Sequence, residues 1–318
     1  MIFEKARCLQ DKLPAYGLLV EIFLAQGHVN EAYNTCSTVL TLLGETLPEI
    51  VTPGLVGGLI PETLNMYTEV YSDDWIEKKM EDNTRCNVMK FYSLMATASY
   101  FFKPLHVVAY CICKMVQLSL RHGLCKYTPK ALMILSSFVI RFDNAALISR
   151  IAKNALMLSE KFNSSDEMAE VRLYFQRGAG QLESFQLGAA QLRKSFTSGL
   201  SSGNAKIAFY CAGQGTHFSI ISAEKDLPSQ LQEIDYYLHL LETYKNELTK
   251  KCLHCYRETV SSLIDKGQTT AIESKLSYAD VILKDVSTIS RGMMKLYNQD
   301  YLKRTSSNST AVFNHLLR

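Results

Sequence analysis

Apolar residues recur at intervals of three and four along most of this chain, which is the spacing that places side chains on one face of an α-helix. One such stripe consists of Leu147, Ile151, Ala155, Leu158 and Phe162. Similar stripes occupy residues 182–200, 207–221, 231–248 and 272–296. No convincing run alternates apolar and polar residues, and only 16 glycines and 7 prolines interrupt the 318 residues. The sequence therefore predicts an all-α protein.

Signals for helix starts and stops divide the chain at regular intervals. Gly123 after two basic residues indicates a helix stop, and Thr128 before Pro129 indicates an N-cap and a first helical residue. Further connectors fall near residues 163–166 and 198–204, so the starts of successive connectors lie about 35 to 40 residues apart. Each interval holds two predicted helices, 129–143 with 145–162 and 167–181 with 183–198. This period predicts an α-solenoid of antiparallel helical hairpins.

The same signals suggest a division of the chain into five parts. Residues 1–44 form an N-terminal hairpin, and residues 45–72 form a connector containing three prolines and the glycines at 54, 57 and 58. We expect this connector to be a loop or a broken short helix, because Pro and Gly interrupt helices. Residues 73–250 form the helical-repeat array, residues 251–304 form C-terminal helices, and residues 305–318 form a polar tail with a short amphipathic end.

The N-terminal hairpin resembles a tetratricopeptide repeat, a helical hairpin that stacks into a right-handed superhelix. The resemblance covers Tyr16, Leu19 and Phe23 on the first helix, Gly27 at the turn, and Ala32, Cys36 and Val39 on the second helix. The family pattern implies that the two helices cross closely at Ala32. Val20 departs from the pattern, since that position usually holds a small residue, and we expect looser packing of the first helix there.

A second resemblance covers roughly residues 10 to 250. Its most telling part is the helix ending MVQLSLRHGL, followed by a short link and the next helix at TPKAL. In order and spacing, these hairpins are similar to the tetratricopeptide-like segment of large signalling proteins. Those proteins join a serine/threonine kinase-like domain, a STAND-type ATPase and the helical segment, often with a GAF, histidine-kinase or cyclase output. The resemblance implies a scaffold or sensor arm whose partners are proteins, with no cofactor and no small-molecule substrate.

The motifs of those catalytic domains are not in this sequence. It contains neither a G-x-x-x-x-G-K-[ST] phosphate loop nor the H-R-D and D-F-G motifs of kinases. We therefore expect this chain not to be an enzyme, and any ATPase or kinase activity to belong to domains outside it.

Composition excludes several other classes. A net charge of +3 with no basic block argues against nucleic-acid binding. The longest apolar region, 94–113, is interrupted by Lys103, Pro104 and His106, so neither part reaches the roughly 20 residues of a membrane span. Nine cysteines at irregular spacing indicate reduced thiols packed as small hydrophobic residues. We therefore expect a cytoplasmic protein.

An enzymatic alternative comes from Asp73, Asp74 and Glu77, which match the D-D-x-x-[DE] motif that binds magnesium diphosphate in all-α isoprenoid synthases. Those enzymes need a second acidic motif, and the later acids Asp166, Glu167 and Glu170 instead fit a capping box. The competing interpretation is that Asp73 and Asp74 lie in the first turn of an exposed helix.

Two smaller motifs have a structural and a chemical interpretation. Cys252 and Cys255 form a C-x-x-C motif, but no second ligand pair or thioredoxin-like context accompanies it. Gly213 and Gly215 form a G-x-G without a preceding strand, which in a helix favours close packing or a local kink over nucleotide binding.

Overall fold

A computed structural model describes residues 8–26, 28–139, 144–162, 165–244 and 246–264. Helices dominate this part of the chain, where the β contacts are limited to one isolated bridge between Lys79 and Leu124. The all-α prediction is confirmed. The chain divides into two compact units, residues 1–139 with 146–163 and residues 140–145 with 164–318. The division falls inside the predicted array 73–250.

The first unit contains eight helices in its described residues. These are α1 (Leu9–Gln26), α2 (Val29–Leu42), α3 (Pro53–Val70), α4 (Asp73–Glu77), α5 (Asn83–Phe102), α6 (Leu105–His122), α7 (Thr128–Val139) and, except for its first residue, α8 (Ala145–Lys161). Helix α1 packs on α2, and both pack on α5. Helix α5 packs on α6, which also contacts α3 and α7.

The prediction of a loop or broken short helix in the connector is wrong for residues 53–70, which form the 18-residue helix α3. Thr52 caps this helix by accepting a hydrogen bond from the Leu55 amide (3.2 Å), and Pro53 occupies the first turn, where a missing N–H costs nothing. One face of α3, including Val56, Ile60 and Tyr67, is buried. Burial of this face stabilises the helix despite an internal proline, because packing rather than propensity decides most helices in proteins.

The second unit contains five α-helices and one 3₁₀-helix in its described residues. They are α9 (Ser165–Arg177), the 3₁₀-helix (Ala179–Leu182), α10 (Phe185–Ser201), α11 (Ala205–Ile221), α12 (Leu227–Tyr244) and α13 (Glu247–Ile264). Helix α9 packs on α10 and α11, α10 packs on α11, and α11 contacts α12 and α13, which also pack on each other. The core contains Ala189, Leu192, Phe196, Phe209, Leu241 and Leu253.

The helix boundaries agree with several sequence signals. Gly123 ends α6 in a left-handed conformation (φ +100°), as predicted, and its amide donates to the Ser119 carbonyl (2.9 Å). The predicted N-cap role of Thr128 is wrong, because Thr128 is itself the first residue of α7. Its hydroxyl oxygen accepts a hydrogen bond from the preceding Cys125 amide (3.1 Å) rather than from an amide of the helix. The four helices predicted between residues 129 and 198 are present. In the described residues, each helix begins and ends within a few residues of its predicted bounds.

The G-x-G pair of α11 lies where neighbouring helices approach. A Cβ atom at Gly215 would lie 3.3 Å from the Leu192 Cβ of α10, and one at Gly213 would lie 3.4 Å from the Thr249 Cγ2 of α13. The expected close packing therefore agrees with the structure at Gly215, whereas a Cβ at Gly213 would make an ordinary van der Waals contact.

Some predictions lie outside the described residues. They are the apolar stripe 272–296, the part of the C-terminal helices after Ile264, the polar tail 305–318, Gly27, residues 163–164 of the connector 163–166 and the side chain of Asp166.

Candidate functional site

The repeat-signature residues lie at the packed contact between α1, α2 and α5. On α2, Ala32, Cys36 and Val39 have no exposed surface. On α1, Val20 is also fully buried, whereas the signature residues Tyr16, Leu19 and Phe23 are half-buried. The buried face of α1 therefore includes the position that departs from the repeat pattern. Val20 and the three residues of α2 therefore pack the interior of the hairpin, while Tyr16, Leu19 and Phe23 lie at its edge.

The buried cysteines have the properties of core residues. Cys36 of α2 lies near Cys111 of α6. Burial raises the pKa of Cys36, and the interaction with Cys111 raises it further. Burial also raises the pKa of Cys111 and of Cys113 to about 12 each. Because the thiolate is the nucleophile and the metal ligand, these thiols are chemically inert at neutral pH. All nine cysteines fall within the described residues, and none of them forms a disulfide.

The acids of the D-D-x-x-[DE] motif lie in α4, a helix of five residues. Ser72 caps this helix by accepting a hydrogen bond from the Trp75 amide (3.2 Å). Asp74 is exposed, and Glu77 forms an ion pair with Lys161 of α8 (2.6 Å). The side chain of Asp73 lies outside the described residues. Nowhere in the described ranges do three or more His, Cys, Asp or Glu side chains form a group that could hold a metal ion.

The C-x-x-C motif lies on α13, where Cys252 and Cys255 are both half-buried. Burial raises the pKa of Cys255, and the nearby Glu258 carboxylate raises it further. A reactive C-x-x-C cysteine requires the opposite shift, since a lowered pKa supplies the thiolate.

An aromatic cluster that the sequence analysis did not identify joins α3, α4 and α8. The rings of Tyr67, Tyr71 and Trp75 lie 5.4 to 6.2 Å apart between centroids. Asn154 of α8 donates to the Tyr67 hydroxyl (2.6 Å) and accepts from the Tyr71 hydroxyl (3.2 Å). The Arg150 guanidinium lies over both tyrosine rings at 5.9 and 5.8 Å. This cluster fixes α8 against α3 and α4.

A second group that the sequence analysis did not identify consists of Lys78, Arg85, Arg121 and His122, and we refer to it as the His122 cluster. An Arg85 Nη1–H donates to the Nε2 of His122, and Lys78 Nζ donates to the Arg121 carbonyl oxygen (3.4 Å). Burial lowers the pKa of His122, and the charges of Arg85, Arg121 and Lys78 lower it further. At neutral pH the imidazole is therefore uncharged among three cations.

The second unit carries an ion-pair network beside an open depression on its surface. Arg193 of α10 binds Glu224 through both Nη atoms, and Lys225 Nζ contacts Glu233 of α12 (3.0 Å). Glu224, Lys225, Glu233 and the exposed Tyr236 line the depression together with Asp226, Ser229 and Gln232. The network connects α10, α12 and the turn between α11 and α12. Because its charges largely neutralise one another, the depression is not a strongly charged site.

None of the described helices has the length and apolar character of a membrane-spanning segment. Comparison of the chain with models of protein families, with curated proteins and with solved structures yields no match.

Proposed function

We propose that the chain is a non-catalytic helical-repeat scaffold or sensor arm that mediates protein–protein contacts within a signalling assembly of the ATPase/kinase type. The observation that carries this proposal is the order of helix contacts. In the second unit, α9 packs on its partner α10 and also on α11, the first helix of the next pair. Helix α11 in turn packs on its partner α12 and on α13. A contact pattern that repeats from pair to pair is typical of stacked hairpins.

The first unit supports the same interpretation with one insertion. Helix α1 packs on α2 and on α5, and α5 packs on α6, so α1–α2 and α5–α6 take the places of successive pairs. Helices α3 and α4 are inserted between these pairs, and α3 packs on α6 rather than on α2. The proposal interprets both units as tetratricopeptide-like parts of an α-solenoid, in agreement with the period of the sequence.

The assignment to a signalling assembly depends on the resemblance of residues 10 to 250 to the helical segment of STAND-type ATPase and kinase proteins. Repeat arrays of this kind bind partners over an extended surface, where a few anchoring residues supply most of the affinity. The proposal therefore expects a protein partner and a cytoplasmic location, with the ATPase or kinase domain either upstream in the same polypeptide or encoded separately.

Long-read sequencing of complete transcripts, combined with a binding assay, tests this proposal. We expect an ATPase segment with a phosphate loop either upstream in the same reading frame or in a separate product that binds the purified chain. Transcripts that join the chain to domains of an unrelated class, or an ATPase of this class that shows no binding in calorimetry, would contradict the proposal.

The alternative, an isoprenoid synthase, rests on the match of Asp73, Asp74 and Glu77 to the diphosphate-binding motif. A turnover assay with Mg²⁺ and prenyl diphosphates of several lengths distinguishes the two functions. The scaffold proposal predicts no product above background. Turnover that is lost in Asp74→Asn, but retained in the matched exposed-acid control Glu81→Gln, would establish the enzyme instead.

A further inference from the structure

The His122 cluster is assembled from three separate segments of the first unit. Lys78 follows α4, Arg85 lies in the first turn of α5, and Arg121 and His122 form the last turn of α6. Two backbone hydrogen bonds hold the segments together: the Leu124 amide donates to the Lys78 carbonyl (2.7 Å), and the Met80 amide donates to the Leu124 carbonyl (2.9 Å). The cations are therefore brought together by a fixed crossing of the backbone.

Gly123 makes this crossing possible. Its φ of +100° lies in a region that side-chain-bearing residues rarely adopt. A Cβ at this position would lie 2.8 Å from the carbonyl carbon and oxygen of Lys79 and 2.9 Å from the Lys78 oxygen. Since these contacts are with backbone atoms, no rotation of a side chain could relieve them. The segment that carries Lys78 is thus held directly against the end of α6.

The charges of the cluster are only partly balanced. Asp82 contacts Arg85 (Nε to Oδ2, 3.1 Å) and provides one negative charge for three permanent cations. In the part of the chain that the structure describes, neither Lys78 nor Arg121 forms an ion pair with a carboxylate. Lys78 Nζ contacts the backbone carbonyl oxygen of Arg121, and Arg121 Nη2 contacts the Met66 sulfur (3.8 Å). A net positive charge therefore remains.

The dipole of α6 explains only part of this arrangement. Cations in the last turn of a helix interact favourably with its partial negative charge, which accounts for Arg121 and His122. Arg85 instead lies near the start of α5, where a cation has no such benefit. It also contacts a neutral imidazole surrounded by other cations. A bound anion would stabilise this arrangement, because it would relieve the repulsion among the like charges.

We propose that the His122 cluster binds the phosphate group of a phosphate monoester. Such a group carries nearly two negative charges and three acceptor oxygens, which suits several donors arriving from different directions better than a planar carboxylate does. Two guanidinium groups and one ammonium group supply those donors, and the imidazole becomes a further donor when it is protonated. The Arg85 side chain is 41% exposed, and Lys78 and Arg121 are exposed, so the group is open to a ligand from solvent. This inference is independent of the proposed scaffold role.

The test follows the imidazole signals of His122 by NMR while the chain is titrated with inorganic phosphate at constant ionic strength. We expect a saturable shift, and a higher His122 pKa in phosphate than in chloride, because a bound dianion favours the imidazolium form. The double variant Lys78→Gln/Arg121→Gln should bind phosphate at least about tenfold more weakly, since it loses two of the charged donors. Circular dichroism verifies that the variant is folded.

The control variant Lys153→Gln/Lys194→Gln makes the same change of charge at two exposed lysines outside the cluster. It should bind phosphate as the unmodified chain does. A second titration uses a short phosphoserine peptide with uncharged neighbours. Tighter binding of the peptide than of phosphate would identify a protein as the source of the group, and equal binding would identify a small molecule; both outcomes support the site. Linear, non-saturating shifts, or equal losses in the two double variants, would overturn it.

Discussion

Replacing Gly199 by alanine adds one methyl group where α10 and α11 cross closely. A Cβ at this position would lie 3.0 Å from the Ala208 Cβ and 3.2 Å from both its Cα and its amide nitrogen. The optimal separation of two carbon atoms is roughly 3.5 to 4.0 Å. Since two of the three contacts are with the backbone of α11, no side-chain rotation can relieve them, and the backbones must move apart by a few tenths of an ångström.

Two opposing effects determine the size of this change. Overpacking a well-packed site costs about 1–3 kcal/mol, while alanine in a helix is favoured over glycine by about 0.8–1 kcal/mol. We therefore expect Gly199→Ala to lower the free energy of unfolding by about 1 kcal/mol. Gly58→Ala is the matched control, because Gly58 lies on an exposed face of α3 with no atom within 4 Å of the added Cβ. This control should raise the free energy by about 0.8 kcal/mol.

Urea denaturation followed by circular dichroism measures the two free energies. Hydrogen exchange then localises each change, to peptides of α10 and α11 for the first variant and to α3 for the control. The decisive quantity is the opposite sign of the two effects. Equal stabilisation by both substitutions would refute the close crossing of α10 and α11, and with it the packing on which the hairpin interpretation depends.

Three further predictions concern the buried Asn154, the half-buried His217 and the contrast between an exposed and a buried cysteine. Asn154→Ala should lower the free energy of unfolding by about 2–3 kcal/mol, because the buried Tyr67 hydroxyl loses its hydrogen-bond partner. Urea denaturation followed by tryptophan fluorescence measures this change. The control Asn34→Ala, on an exposed face of α2, should change the free energy little, and equal effects of the two variants would contradict the role of Asn154. Burial lowers the pKa of His217 below its ordinary value near 6.5, so the unfolded chain takes up a proton first on acidification. Stability should therefore be lost as the pH falls below about 6.5, by at most about 1.4 kcal/mol per pH unit; His217→Gln should lessen the loss, and an unchanged pH profile would contradict the assignment. In a thiol-reagent assay the exposed Cys8 should react at once and Cys36 only on unfolding; early labelling of Cys36 would refute its burial.

The helical class and the positions of most helices could be predicted because each depends on local information. Apolar stripes with a period near 3.6 and stop signals such as Gly123 are formed by residues that lie close together in the sequence. Helix α3 is not predicted because its glycines and prolines have the pattern of helix interruptions. The signal for this helix, Thr52 before Pro53, has the same form as the Thr128–Pro129 signal that predicts α7.

The two side-chain clusters could not be predicted because they depend on contacts between distant parts of the chain. Asn154 meets Tyr67 across 87 residues, and Arg85 meets His122 across 37 residues. Neither pair forms a recognisable spacing in the sequence. The His122 cluster depends further on the backbone crossing at Gly123, and the sequence identified that glycine only as the end of a helix.

An experimental structure of the chain tests the central claim most directly. The scaffold account predicts a right-handed superhelix of stacked hairpins in which Asp73, Asp74 and Glu77 lie on the surface. A closed helical bundle, in which these three acids face acids of a second helix across a deep cavity, would contradict it.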